Sequence, residues 1–132
     1  MIILDTSATR ALADGHKTLN LLAANMARTP GDLLRIPAIC LMQAESEDEG
    51  VARRVLAFSS VEVDELNTAA AATVGTMIRD GYGGADTCHA LYAALPRPDF
   101  NGMSILLTDR EDRYPPGVVA IGIDSPGMLG FH

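Results

Sequence analysis

Met1-Ile2-Ile3-Leu4-Asp5-Thr6-Ser7 opens the chain. Four consecutive apolar residues read as a short strand buried on both faces, as in a parallel sheet. The acid at its carboxyl end lies where open α/β sheets keep their binding crevice. Asp5 has a plainer reading as well, the N-cap of a following helix. Its place at a strand end favours a functional carboxylate, and the rest of the chain can be searched for acids that join it.

Working outward, helices and strands alternate. Ala8 to Ala13 and Lys17 to Ala27 read as helices parted near Gly15, and the turn Thr29-Pro30-Gly31-Asp32 leads into a strand over Leu33 to Pro37. Ile39 to Glu49 is expected to be helical and stopped by Gly50, Val51 to Phe58 helical again, and Ser59 to Val63 a third strand. An Ala-rich helix over Asn67 to Arg79 and a helix over Ala85 to Leu95, ended by Pro96 and Pro98, flank the loop Asp80 to Gly84. Ser104 to Leu107 and Val118 to Ile121 complete five strands, and Ser125 to His132 is expected to be irregular. Such alternation implies an α/β fold with a mostly parallel sheet covered on both faces. With no repeat and no linker, residues 1–132 read as a single domain.

Composition narrows the function. An apolar content of 48% argues against disorder. No apolar stretch is long enough to span a bilayer, and the start lacks the pattern of a signal peptide, so the expectation is a cytoplasmic chain without a membrane partner. Cys40 and Cys88 fall in helices and read as reduced, buried thiols. With His16, His89 and His132 they make no recognisable zinc spacing. The net charge of −7 removes the ordinary basic footprint of a nucleic-acid binder. Either the chain avoids nucleic acid, or it reaches it through bound metal ions and a local group of arginines; a homodimer or protein partner could also complete the surface. The glycines at 81, 83 and 84 do not follow a strand, which discounts a phosphate loop.

Further acids then stand out. Glu45 lies four residues after Leu41 and three after Met42, on an apolar helix face where a carboxylate is costly to desolvate unless paired or bound to a cation. Glu47, Asp48 and Glu49, beside Gly50, read instead as a solvated patch. Asp86 opens a helix, a place the macrodipole alone would favour for an acid, and the small Ala90 and Ala93 on its face let it lie close to the sheet. His89 reads as a packing or hydrogen-bonding residue. Asp109 follows Ile105-Leu106-Leu107-Thr108 and repeats the pattern of Asp5; Asp112 could join or replace it. The two strand-end acids share a crevice if their strands are adjacent. Four acids with neighbouring hydroxyls suit a hard divalent cation, Mg²⁺ or Mn²⁺. With no Ser-His-Asp arrangement and no reactive cysteine setting, metal-activated water is the chemistry these residues support.

Taken in order, Ile2-Ile3-Leu4-Asp5-Thr6-Ser7, Ile36-Pro37-Ala38 with Gln43-Ala44-Glu45, Ala85-Asp86-Thr87-Cys88-His89-Ala90 and Leu106-Leu107-Thr108-Asp109 resemble the motifs of PIN-domain ribonucleases of the VapC-like toxin kind. The resemblance implies a three-layer α/β/α PIN-like fold with a five-stranded sheet and a Mg²⁺ or Mn²⁺ site. It carries the family's catalytic, metal-holding acids onto Asp5, Glu45, Asp86 and Asp109. The family often has one residue between the Thr and the Asp, whereas Thr108 and Asp109 are adjacent, so Asp112 stays an alternative for the fourth. Thr6 or Ser7, and Thr108, would be hydroxyls near the metal. The implied activity is endonucleolytic hydrolysis of RNA by the toxin of a toxin–antitoxin pair, with a cognate antitoxin protein as partner. Arg10, Arg79, Arg110 and Arg113 are candidates for phosphate contacts, or ordinary surface arginines. The rival is a PIN-like protein-binding module with little or no catalysis, because fold does not fix function. A phosphotransfer receiver is rejected, since it needs a late Lys and the last one is Lys17.

Overall fold

The computed structural model describes residues 1–96 and 102–131. Strands β1 (Ile2–Leu4), β2 (Leu34–Pro37), β3 (Val61–Asp64), β4 (Ile105–Thr108) and β5 (Val119–Gly122) form a parallel sheet in the order β3-β2-β1-β4-β5. Helices α1 (Thr6–Ala13), α2 (Lys17–Ala27), α3 (Ala38–Glu47), α4 (Val51–Leu56), α5 (Thr68–Arg79) and α6 (Ala85–Ala94) flank it, giving a three-layer α/β/α fold. The expected helix stop at Pro98 and the residue His132 lie outside the described residues.

The opening apolar run becomes the central strand. β1 pairs with β2 through Ile2 opposite Leu34 and with β4 through Leu4 opposite Leu107. Ile3 and Leu4 are fully buried, as a strand with neighbours on both edges and helices on both faces requires. Leu34, Ile36, Leu106 and Leu107 join them in the core, with Leu12, Leu19, Val51 and Val55 from the helices. The small Ala90 and Ala93 are buried on α6, which lies across β1, β2 and β4 and carries α5 against it.

Strand order reverses at the β1–β4 boundary: the chain runs from β1 to β2 and β3 on one side and places β4 and β5 on the other. In a parallel sheet the crevice at the carboxyl ends of two such strands is the natural binding place. The adjacency expected for the strands that carry Asp5 and Asp109 is therefore present.

Most element boundaries shift by one or two residues from the sequence expectation; β3 runs Val61–Asp64 rather than from Ser59, and α4 stops at Leu56 rather than Phe58. α1 begins at Thr6, two residues before Ala8, because the Asp5 side chain caps it and accepts from the Ala8 N–H at 3.0 Å. α3 ends at Glu47, and Gly50 takes φ +88° to turn the chain into α4, a conformation that favours glycine. Residues Pro126–Phe131 form a 3-10 turn where irregular chain was expected. Cys40 and Cys88 are free, buried thiols, and burial pushes both above the ordinary thiol range. Among the described residues no helix is long and apolar enough to cross a membrane.

Candidate functional site: a carboxylate pocket at the carboxyl edge

A pocket of about 230 Å³ opens at the β1–β4 crevice, with Asp5, Asp86, Asp109 and Glu47 in its lining. The first three come from separate stretches of chain: the end of β1, the first turn of α6 and the residue after β4. Of the two candidates for the fourth acid near β4, Asp109 lines the pocket. Asp112 points its 74% exposed side chain to Arg110 at 3.3 Å.

Asp5 is the most constrained. Its side chain is 4% exposed. Oδ1 accepts from the Ser7 hydroxyl at 2.6 Å and from the Ala8 N–H at 3.0 Å. Oδ2 accepts from the Tyr114 hydroxyl at 2.7 Å and from Arg113 Nη1 at 3.2 Å. Four donors match the roughly four lone-pair sites of a carboxylate. Asp5 is thus both helix cap and pocket wall; the two readings of the sequence were not alternatives. Burial, and then the charge of Asp5, push the Tyr114 phenol well above its ordinary range, so Tyr114 stays a donor.

Asp86 accepts from the Thr6 hydroxyl at 2.6 Å, which ties α6 to the first residue of α1. The positive end of the α6 dipole favours an acid there. The Cys40 thiol donates to the Asp86 carbonyl at 3.2 Å and fixes α3 against the same turn. Asp109 donates its backbone N–H to Ser7 Oγ at 3.0 Å and places Oδ1 at 3.1 Å from Arg113 Nη1. His89 is a hydrogen-bonding residue, its Nδ1 accepting from the Ile39 N–H at 3.3 Å where α3 begins.

The expectation that Glu45 joins this cluster is corrected. Its carboxylate accepts from the N–H groups of Gly50 and Ala52, each at 2.9 Å, and so caps the start of α4. Those two bonds, Gly50 first, hold its acid below the ordinary carboxylate range. The buried residues of α3 are Cys40 and Ala44. Glu47, seven residues after Cys40 and three after Ala44, lies on the same side of the helix but at its exposed end, whereas Glu45 is partly buried against the start of α4. Glu47 instead reaches the pocket rim, paired with Arg10 at 2.9 Å and accepting from Gln43 at 2.6 Å. Glu47 is exposed, as expected of a solvated patch, and its ties to Arg10 and Gln43 hold it at the rim. Tyr114 had no signal beyond being one of three tyrosines.

Arginine fills the space between the acids. Burial works against the Arg113 charge, but Asp5 and then Asp109 hold its guanidinium above the ordinary value. Arg10 also lines the pocket, while Arg110 is 67% exposed and occupied with Asp112. By chemistry the donors fit Mg²⁺ or Mn²⁺, for carboxylates and hydroxyls are the ligands hard cations take. By placement the cation among them is Arg113. Among the described residues no three His, Cys, Asp or Glu side chains are gathered closely enough to hold a metal ion.

No protein-family model matches the chain, and no curated protein matches its sequence.

Proposed function

We propose that the chain is a Mg²⁺- or Mn²⁺-dependent endoribonuclease of the PIN-like class, acting as the toxin of a toxin–antitoxin pair. One observation carries the reading: Asp5, Asp86 and Asp109, from three separate segments, line one pocket at the reversal of strand order, with Glu47 beside them. The expected partners, a cognate antitoxin and a second copy of the chain, belong to the same proposal and rest on the resemblance of the motifs.

To hold a cation, Asp5, Asp86 and Asp109 would have to draw closer together than they stand here, and Glu47, which lines the same pocket, would serve as the fourth acid in place of Glu45. Bound there, the cation would supply a Lewis acid for a phosphoryl oxygen and lower the pKa of a water. The chain's own residues do the positioning. Thr6 holds the Asp86 carboxylate, and Ser7 holds both Asp5 and the Asp109 backbone. Arg10 and Arg113 offer guanidinium groups to a phosphodiester. Glu47, which lines the pocket, would be the carboxylate that takes the proton of an attacking water.

A second reading, a PIN-like binding module without catalysis, draws on the four donors that already satisfy Asp5 and on Arg113 among the acids. Incubation of RNA with the protein and Mn²⁺, followed by gel analysis, separates the two. Cleavage should stop in chelator and fall on the order of a hundredfold in Asp86→Asn. Glu47→Gln should lose activity while Glu45→Gln keeps it. RNA left whole by the parent protein at every Mn²⁺ concentration would favour the binding module.

A further inference from the structure

Arg113 Nη1 touches four oxygens from four residues. They are Asp109 Oδ1 and Thr108 Oγ1 at 3.1 Å, Asp5 Oδ2 at 3.2 Å and Ser7 Oγ at 3.4 Å. One guanidinium nitrogen of this kind carries two hydrogens. Two hydrogens cannot serve four acceptors well, so part of this contact is charge alone. The arrangement resembles the shell of an ion more than the forked pairing of arginine with a carboxylate. The rest of the residue is free to leave. Arg113 closes the 3-10 turn Glu111–Arg113, its side chain is 32% exposed, and the neighbouring Tyr114, buried and bonded to Asp5, anchors the backbone without it.

We propose that Arg113 is the exchangeable cation of this pocket, competing with a divalent ion for the oxygens of Asp5, Asp109, Ser7 and Thr108. The inference rests on the metallonuclease reading and adds the residue that sets how readily the site takes metal. A divalent ion bound there would leave the Arg113 guanidinium to turn toward solvent, where it could meet an incoming phosphodiester. Without the ion, Arg113 keeps the acids neutralised and the pocket closed to Mg²⁺.

The experiment is Mn²⁺ binding by calorimetry on the full chain, comparing the parent with Arg113→Gln and Arg113→Lys. Gln keeps polarity and removes charge, and should bind Mn²⁺ roughly tenfold more tightly, the scale of one charge-assisted hydrogen bond. Lys keeps the charge and should bind no more tightly than the parent. A second measurement needs no variant: Mg²⁺ added to the parent should move the Arg113 guanidinium NMR signal to that of a solvent-exposed group. Equal Mn²⁺ affinity in parent and Arg113→Gln, or an Arg113 signal unmoved at saturating Mg²⁺, overturns the inference and leaves the nuclease reading intact. Absence of Mn²⁺ binding in all three proteins overturns the nuclease reading, and this inference with it.

Discussion

The two edges of the sheet carry hollows of opposite character. At the amino edge a cavity of about 460 Å³ lies among Met1, Leu22, Met26 and Leu33, with Asp32 and Arg35 at its side. At the carboxyl edge the pocket has half that volume, about 230 Å³, and concentrates three aspartates with Glu47 and two arginines. The larger hollow has no comparable convergence of charge. Arg35 there looks back along the sheet to Glu62 and Asp64, at 3.7 and 3.9 Å. Volume therefore does not mark the chemistry. Strand direction does: helices α1 and α6 begin at the carboxyl edge, and their N-terminal N–H groups and dipoles make acids tolerable there.

The contrast can be broken by mutation. Asp5→Ala removes a helix cap and leaves the Tyr114 hydroxyl and the Ala8 N–H without their acceptor. It should cost about 2–4 kcal/mol in urea unfolding. Asn25→Ala, an exposed change at the amino-edge cavity, should stay within about 0.5 kcal/mol. Equal losses in the two variants would dissolve the distinction between the edges. Tyr114→Phe is milder, since Asp5 keeps three donors, and should cost about 1 kcal/mol by the same measurement. No loss at all would mean that Tyr114 merely packs.

Glu45→Gln should give the smallest effect, and a signature in pH rather than size. The Glu45 acid is held below its ordinary value of 4.5, so the stability it contributes is present above about pH 4.5. That contribution is lost as pH falls through the lower value of the folded state. Melting temperatures measured from pH 7 down to pH 3 should fall less steeply in the variant than in the parent. Parallel curves would remove Glu45 from the α4 cap.

Much of the fold was legible because periodicity and burial agree locally. Ile2-Ile3-Leu4 and Ile105-Leu106-Leu107 read as buried parallel strands, and each ends in an acid at the same crevice. Ala90 and Ala93 marked the face of α6 that meets the sheet. What escaped depends on rotation and on partners distant in sequence. On α3 two residues separate Glu47 from Glu45, and their partners, Arg10 for the first and the Gly50 and Ala52 N–H groups for the second, decide which reaches the pocket. Tyr114 meets Asp5 across 109 positions, a contact with no local trace. The start of α1 at Thr6 follows from Asp5 serving as cap and pocket wall at once, one carboxylate oxygen for each.

That double service complicates any genetic screen of this chain. A dead variant at position 5 confounds poor folding with lost chemistry, since the same carboxylate starts α1 and faces the pocket. Asp86 is held by a single side-chain donor, Thr6, on a helix that needs no side-chain cap. Position 86 is therefore the cleaner reporter: its variants lose one tie between α6 and α1 and no cap, and should accumulate in cells closer to normal levels than variants at position 5.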